Sequence, residues 1–537
     1  MSLDIVIRNA HVVDGTASPR FRASVGIDQG RIVEIDKGNR FPEGKLDINA
    51  DGKLLTPGFF DIHRHSDWTL LVDSSAESAI EQGLTTEVLG NCGFGPAPAV
   101  DRKRVEQNIL GHSAKHGIEI DWTTFGEYLD RLDRNLGINV VPLVAHGSIR
   151  TSAMGVADRP ADRDEIKKMC YWVDEALDSG AFGLSAGLEY APYQTSTTTE
   201  EIVALVKRVG ERGALYSTHT RYRIFNSDKG VAEAIQIARE SGTRLQISHI
   251  TPRIFARHMT EAVLESCDKA REEGLDVGFD IYPYEWAPGP LTELLPGWAL
   301  EGSADDVVQR FRDDQFKRKV EREHRVNLCR WVQLDRWDKV IIVGAPKRPD
   351  VINKSIAQLA QEWSKDPWDV VFDLLAEAGT HYTDLTEITH TLDWEDILLT
   401  IRDPHCSFGS DSSTLSRKGP LKDEAMMPGC YGFVPRVFDE VVSSRKALSF
   451  EEAVRRLTSL PASQLGIWDR GIIRPGLVAD LTLIDPNTFR DNTTWTDFYA
   501  RPGGVDLVLI SGKVAVENGC ATGVRAGKLL RAKGGVA

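Results

Sequence analysis

The feature that most constrains this chain is an alternation of short apolar runs with amphipathic helical patterns, sustained across residues 58–465. The runs include residues 139–144, 181–184, 244–247 and 277–280, and the helical patterns include 200–212, 230–241 and 259–273. Strands that alternate with helices pair in parallel, because each helix carries the chain back to the starting edge. Over this length the pattern predicts an α/β fold whose sheet closes into a (β/α)8 TIM-type barrel. An open doubly wound sheet is the alternative, but no glycine-rich phosphate fingerprint follows the early strands, and Asn91-Cys92-Gly93-Phe94-Gly95 lacks the full spacing.

Both ends read differently. Ile5-Val6-Ile7, a turn at Asp14-Gly15, Val25-Gly26-Ile27 and residues 30–35 have the texture of hairpins, and it returns in 481–484, 505–510 and 513–516. Residues 1–57 plus 466–537 are therefore expected to build one composite β-sandwich domain, which suits a chain of 537 residues, too long for a single core. Residues 285–338 break the alternation with Trp286, Pro288, Pro290, Pro296, Trp298 and a charged stretch. They are expected to form an insertion, a lid over the barrel mouth.

A net charge of −15, with no run of Lys and Arg, argues against nucleic acid or an anionic membrane as partner. No stretch approaches the roughly 20 apolar residues of a membrane helix. The N-terminus has no basic start or apolar core, so no signal peptide is expected. Seven scattered cysteines (92, 170, 267, 329, 406, 430 and 520) read as reduced thiols of a cytoplasmic protein. A small-molecule substrate is the expected partner, and the composition leaves room for a homo-oligomer.

The chemistry gathers at the ends of the apolar runs. His63 and His65 stand two apart, so on a strand both imidazoles face one side, where a metal can take both. Among 13 histidines one such pair carries little weight alone. Its setting strengthens it, since it follows the apolar run 54–60. Cys92 ends the next apolar-then-glycine run, where a thiolate would suit zinc. His219 and His249 cap two further runs about one βα unit apart. Asp411, after Ser407-Phe408-Gly409-Ser410, closes the set with a carboxylate able to touch a metal and take a proton from water. Each residue alone has a structural explanation. Together they converge on the face where such barrels carry their active sites.

The sequence resembles the amidohydrolase superfamily and, within it, the N-acyl-D-amino-acid deacylases (D-aminoacylases). The likeness runs over nearly the whole chain. It is carried by residues 57–65, Gly90-Asn91-Cys92-Gly93-Phe94, Gly183-Leu184-Ser185-Ala186-Gly187-Leu188-Glu189-Tyr190, Ser248-His249, Asp280-Ile281-Tyr282-Pro283-Tyr284, Gly409-Ser410-Asp411 and residues 475–480. The resemblance implies a metal-dependent hydrolase of carbon–nitrogen bonds other than peptide bonds. Cys92, His219 and His249 would hold one tight Zn2+, with His63, His65 and Asp411 offering a weaker second position. Asp411 would be the general base and then the acid for the leaving nitrogen. The ion would polarise the carbonyl and lower the water pKa from about 15.7 towards 7. Tyr190 and Tyr282 match positions that contact substrate, and His146 and Arg150 match positions that support the site from behind.

Three family positions differ. A lysine two residues after the last histidine and an arginine in a His-Pro-Arg stretch bind the substrate carboxylate in relatives. Here Thr251 and Gly429 stand there, and Arg223 replaces an expected acid. Since burying an unpaired carboxylate is costly, one reading is a neutral or bulkier substrate lying against Thr251 and Trp286. The other is a deacylase in which Arg221, Arg223 or Arg253 supplies the charge. A hydantoinase-like cyclic-amide hydrolase is a further alternative, although the likely fourth strand lacks the lysine such enzymes carboxylate. A lyase or C–C hydrolase on the same site and a non-catalytic interaction barrel complete the alternatives; the second usually loses ligands.

Overall fold

A computed structural model describes the chain except residues 1–2, 39, 103–104, 106–115, 156, 191–193, 324–329, 346, 496 and 533–537. Cys329 therefore lies outside the described residues, while the six cysteines described are all free.

The apolar runs of the middle become parallel strands: β1 (Phe59–Asp61), β2 (Leu84–Leu89), β3 in two pieces (Asn139–Pro142 and Val144–Ala145), β4 (Gly183–Gly187), β5 (Leu215–His219), β6 (Arg244–Ile247), β7 (Val277–Ile281) and β8 (Cys406–Phe408). Each pairs in parallel with the next, through Phe60↔Thr86, Val88↔Val141, Leu184↔Val144, Ser185↔Ser217, Ser217↔Gln246, Gln246↔Gly278 and Asp280↔Ser407. The ends of β8 and β1 meet at a parallel bridge, Arg64↔Ser412. There the His65 N–H donates to the Ser412 carbonyl (2.9 Å) and the Asp411 N–H to the His63 carbonyl (3.0 Å). Phe60, Val88, Val141 and Leu215 are buried together in one apolar cluster.

The connecting helices follow the apolar periodicity closely: Thr199–Glu211, Ser227–Ser241 and Thr260–Glu272. The first begins where the Thr198 hydroxyl accepts the Glu201 N–H, satisfying a donor that the helix itself cannot.

Strands from both chain ends share one sheet. Its path runs Cys520–Ala521, Lys513–Glu517, Val505–Ile510, Leu481–Ile484, Leu54–Pro57, Ile5–Val12, Phe21–Asp28 and Arg31–Asp36, with Leu46–Asn49 on Ile5–Val12. The seam between the two ends is antiparallel, Leu55 opposite Leu483. Ile7, Val25, Ile27, Leu55, Leu481 and Leu509 form the core of this sheet. Leu54–Pro57 then runs through Gly58 straight into β1, so the sheet fixes where the first pair of histidines begins.

Between β7 and β8 the chain leaves the parallel arrangement. Trp286–Pro290 and Val340–Gly344 flank Thr386–His390 in an antiparallel sheet. Leu291, Phe311, Ile342, Leu359, Val371 and Leu375 make a separate core beneath it. This excursion runs about fifty residues beyond 338, the boundary read from the sequence, because Trp286–Pro290 finds its strand partner only at Thr386–His390. No described helix is long and apolar enough to cross a membrane.

Candidate metal centre

Each ligand-type residue sits at or just past the end of a parallel strand. His219 is the last residue of β5, while His63, His65, Cys92, His249 and Asp411 lie two to four residues beyond β1, β2, β6 and β8. Three of them have a left-handed backbone: φ is 55° at Cys92, 34° at His249 and 51° at Asp411. That conformation disfavours residues with a Cβ and clusters at functional sites.

The side chains meet. Cys92 Sγ lies 3.2 Å from His63 Nε2, 3.5 Å from His249 Nε2 and 4.0 Å from His219 Nδ1. His219 Nδ1 and His249 Nε2 are 3.2 Å apart. Asp411 Oδ1 is 3.0 Å from His65 Nε2 and 3.4 Å from His63 Nε2. Two groups result, His63–His65–Cys92–Asp411 and Cys92–His219–His249, each with its ligand atoms within 4.8 Å of one another and with Cys92 common to both.

The loop that carries Cys92 is pinned from several sides. Asn91 Nδ2 donates to the Val88 carbonyl (3.0 Å), the Gly93 N–H donates to Ser185 Oγ (3.0 Å), and that hydroxyl donates to the Gly90 carbonyl. A Cβ at Gly187 would stand 1.9 Å from the Cys92 carbonyl, so only glycine lets β4 approach this closely. At the end of β1, Asp61 accepts the N–H groups of His63 (3.2 Å) and Ser410 (3.0 Å) and pairs with buried Arg64 (2.9 Å). Arg64 also reaches Glu87 (3.1 Å).

Burial works against a charged Cys92, but the imidazoles of His63, His219 and His65 outweigh it and hold the thiol well below its usual range. Burial likewise opposes the Asp411 carboxylate, and His63 and His65 hold it ionised. Burial, with Arg223 next, pushes His249 down, to the neutral form a metal needs. Burial also disfavours the charged form of His65, yet Asp411 and Cys92 push it up to about 9. Without an ion this imidazole holds a proton, which a metal would displace.

A thiolate, imidazole nitrogens and a carboxylate are the donor set zinc takes. The orientation also fits: Glu189 accepts from His219 Nε2 (3.1 Å), leaving Nδ1 for the cluster. Tyr190 places its hydroxyl 3.0 Å from that Nδ1, and the Tyr282 ring lies 6.3 Å from the His249 ring.

The other residues expected at the site have these surroundings. Thr251 is fully buried, with its hydroxyl 3.0 Å from that of Thr400. Arg221 is committed to Glu233 (3.0 Å) and to the carbonyls of Thr195 and Thr197. Trp286 lies on the inserted sheet, its ring 5.2 Å from His390 and 6.2 Å from Trp495. His146 and Arg150 converge on buried Glu201 at 3.1 and 3.0 Å.

Residues 48–325 and 374–516 match the model of the amidohydrolase family. The chain belongs to the amidohydrolase family. It is 29% identical to N-acyl-D-glutamate deacylase of Alcaligenes xylosoxydans xylosoxydans, over all of this chain and 98% of that protein. The crystal structure of N-acyl-D-glutamate deacylase from Bordetella bronchiseptica, complexed with zinc and a phosphonate inhibitor, aligns with a TM-score of 0.83 at 27% identity, covering 99% of this chain and 100% of that one. A D-aminoacylase structure described for its binuclear metal centre aligns at 0.80 and 26% identity, covering 98% and 100%.

Three residues of this amidohydrolase's site escaped the reading of the sequence as participants: Asp61, Asp280 and Glu189. All three lie inside the stretches that carry the family likeness, so their signal was present. What was missing was any way to tell a carboxylate that orients a histidine from one that merely caps a strand.

Proposed function

We propose that this chain is a zinc-dependent amidohydrolase that cleaves an amide C–N bond with water. In this reading β1–β8 close into a (β/α)8 barrel, residues 1–57 and 466–537 form a small β-sandwich domain beside it, and the segment between β7 and β8 covers the mouth. The observation that carries the reading is Cys92, whose Sγ is shared between the two groups of ligand atoms. Cys92, His219 and His249 would hold the tighter zinc, and His63, His65 and Asp411 a weaker second one. Bound there, zinc supplies Lewis acidity, polarising the scissile carbonyl and acidifying water.

Asp411 does the proton work. Its carboxylate stays ionised between His63 and His65, so Oδ1 can take a proton from the attacking water and return it to the leaving nitrogen. Tyr190 and Tyr282 flank the cluster, where a hydroxyl can steady the acyl oxygen.

The substrate in this reading is an N-acyl amino acid whose carboxylate docks on Arg253. Arg221 is tied to Glu233, and Arg223 donates to the carbonyls of His249 (2.7 Å) and Thr251 (3.5 Å). The Arg253 Nε is buried without a hydrogen-bond partner, and Tyr190, Tyr282, Glu189 and Glu293 are within its electrostatic reach. A neutral or bulkier substrate is the second reading, favoured by uncharged Thr251 and Gly429 standing where the family resemblance leads one to expect cations.

The test uses zinc-loaded protein with N-acyl amino acids of both hands and their C-terminal amides. Cleavage of the acids in preference, with the preference lost in Arg253→Met, supports the carboxylate reading. Equal cleavage of the amides leaves the neutral reading standing, and no amide cleavage at all by metal-loaded protein removes the hydrolase assignment.

A further inference from the structure

The inserted segment brings two acids to the side of the site where Arg253 lies, Glu387 on its sheet and Glu293 on the turn Leu291–Leu294. Glu387, on Thr386–His390, stands directly opposite Gly289 on Trp286–Pro290. Opposed residues of an antiparallel pair project to the same face. A Cβ at Gly289 would come 2.9 Å from the Glu293 carboxyl, so that carboxyl lies over the same face, beside Glu387, in room that only the missing side chain leaves.

Glu387 is 3% exposed, and its Oε2 has no hydrogen-bond partner. The loop bearing Arg253 is stitched to the end of this strand, where the Ile254 N–H donates to the Thr391 carbonyl at 2.7 Å. Burial pushes Glu293 up to about 7, against the pull of Arg253 and His219 and with Glu189 and Asp411 adding to the rise. Burial, reinforced by Glu293, pushes Glu387 well above the usual range. Arg253 lies within electrostatic reach of Glu293 and Glu387 and of Glu189, whose carboxylate already holds His219 Nε2 (3.1 Å) and the Arg223 N–H (2.8 Å). Neighbouring buried carboxyls are costly to ionise together unless a further cation joins them.

We propose that Glu293 and Glu387 form a selectivity pocket that takes a basic side chain, ammonium or guanidinium, on the amino-acid part of the substrate and rejects an acidic one. This rests on the reading of the site as one that hydrolyses N-acyl amino acids. It sets the chain apart from the relatives named for N-acyl-D-glutamate, because an acidic side chain would enter a pocket already rich in carboxyls.

The experiment compares kcat/KM for N-acetyl-lysine, N-acetyl-norleucine and N-acetyl-glutamate, both enantiomers, on the zinc-loaded enzyme. Lysine is expected to exceed norleucine by about tenfold or more, a difference of about 1.4 kcal/mol, with glutamate lowest. Glu293→Gln and Glu387→Gln should each shrink the lysine-to-norleucine ratio. Gly289→Ala should shrink it too, by displacing the Glu293 carboxyl without removing it. Binding of free lysine, followed by calorimetry, should weaken in the same variants. A wild-type ratio near one, a preference for glutamate, or a ratio that survives all three substitutions overturns the proposal while norleucine cleavage keeps the hydrolase reading intact. If none of the three substrates is cleaved, the underlying reading fails and takes this one with it.

Discussion

Asp280 Oδ1 lies 3.3 Å from His63 Nδ1 and accepts the backbone N–H of His249 at 2.8 Å. One carboxylate thus orients a member of each group of ligand atoms, turning His63 Nε2 toward Cys92 and fixing the His249 backbone. Its other oxygen is held by Gln246 (2.9 Å). Partners of this kind raise the basicity of the histidine and lock its orientation. Asp280→Asn should weaken zinc binding by about 10–100-fold, read by competition with a chromogenic chelator. Unaltered affinity would reduce Asp280 to a strand-end residue.

Cys92→Ser exchanges one atom at the point shared by both groups. Zinc per chain should fall and hydrolysis should be lost with it. Wild-type protein stripped by a chelator should behave alike and recover on adding zinc. Because an ion that binds only the folded state stabilises it, the stripped protein should also melt lower. Full activity after stripping, verified by elemental analysis, would end the metal-dependent mechanism.

Asp411→Asn keeps the size of the side chain and removes its basicity. The expected loss in kcat is about 10²–10⁴-fold, with zinc still held by Cys92, His219 and His249. A variant that retains wild-type kcat would require another base.

Glu293 gives stability a pH dependence whose sign is definite. Its carboxyl is raised from the ordinary glutamate value of 4.5 to about 7 in the folded chain. The folded state therefore binds the proton more tightly than the unfolded state. The stabilisation is complete below about pH 4.5 and disappears as pH rises through about 7. Burial is the main cause of the rise; Glu189 and Asp411 add to it, and Arg253 and His219 oppose it. Melting curves of wild type and Glu293→Gln between pH 5 and 8 should show the wild type losing ground as pH increases. Parallel curves would remove Glu293 as a titrating group.

The parallel strands and the meeting of His63, His65, Cys92, His219, His249 and Asp411 were legible because each obeys a local rule. A strand announces itself by an apolar run, and a ligand by its residue type at the end of that run. His63 and His65 show the limit of such rules: β1 stops at Asp61, and the pair lies past it, aligned by the bridge from Arg64 to Ser412. The extent of the inserted sheet could not be read for a different reason. Val340–Gly344 followed by helices looks like one more βα unit, and only the antiparallel pairing of Thr386–His390 with both flanking strands distinguishes it. Arg253 and Glu387 lie far apart in the chain, and nothing in either neighbourhood announces the other.

The seam between Leu54–Pro57 and Leu481–Ile484 has a mechanical consequence. The strand that launches β1 takes one edge from Ile5–Val12 and the other from Leu481–Ile484. A break introduced in either distant segment would loosen the footing of His63 and His65 without touching the cluster itself.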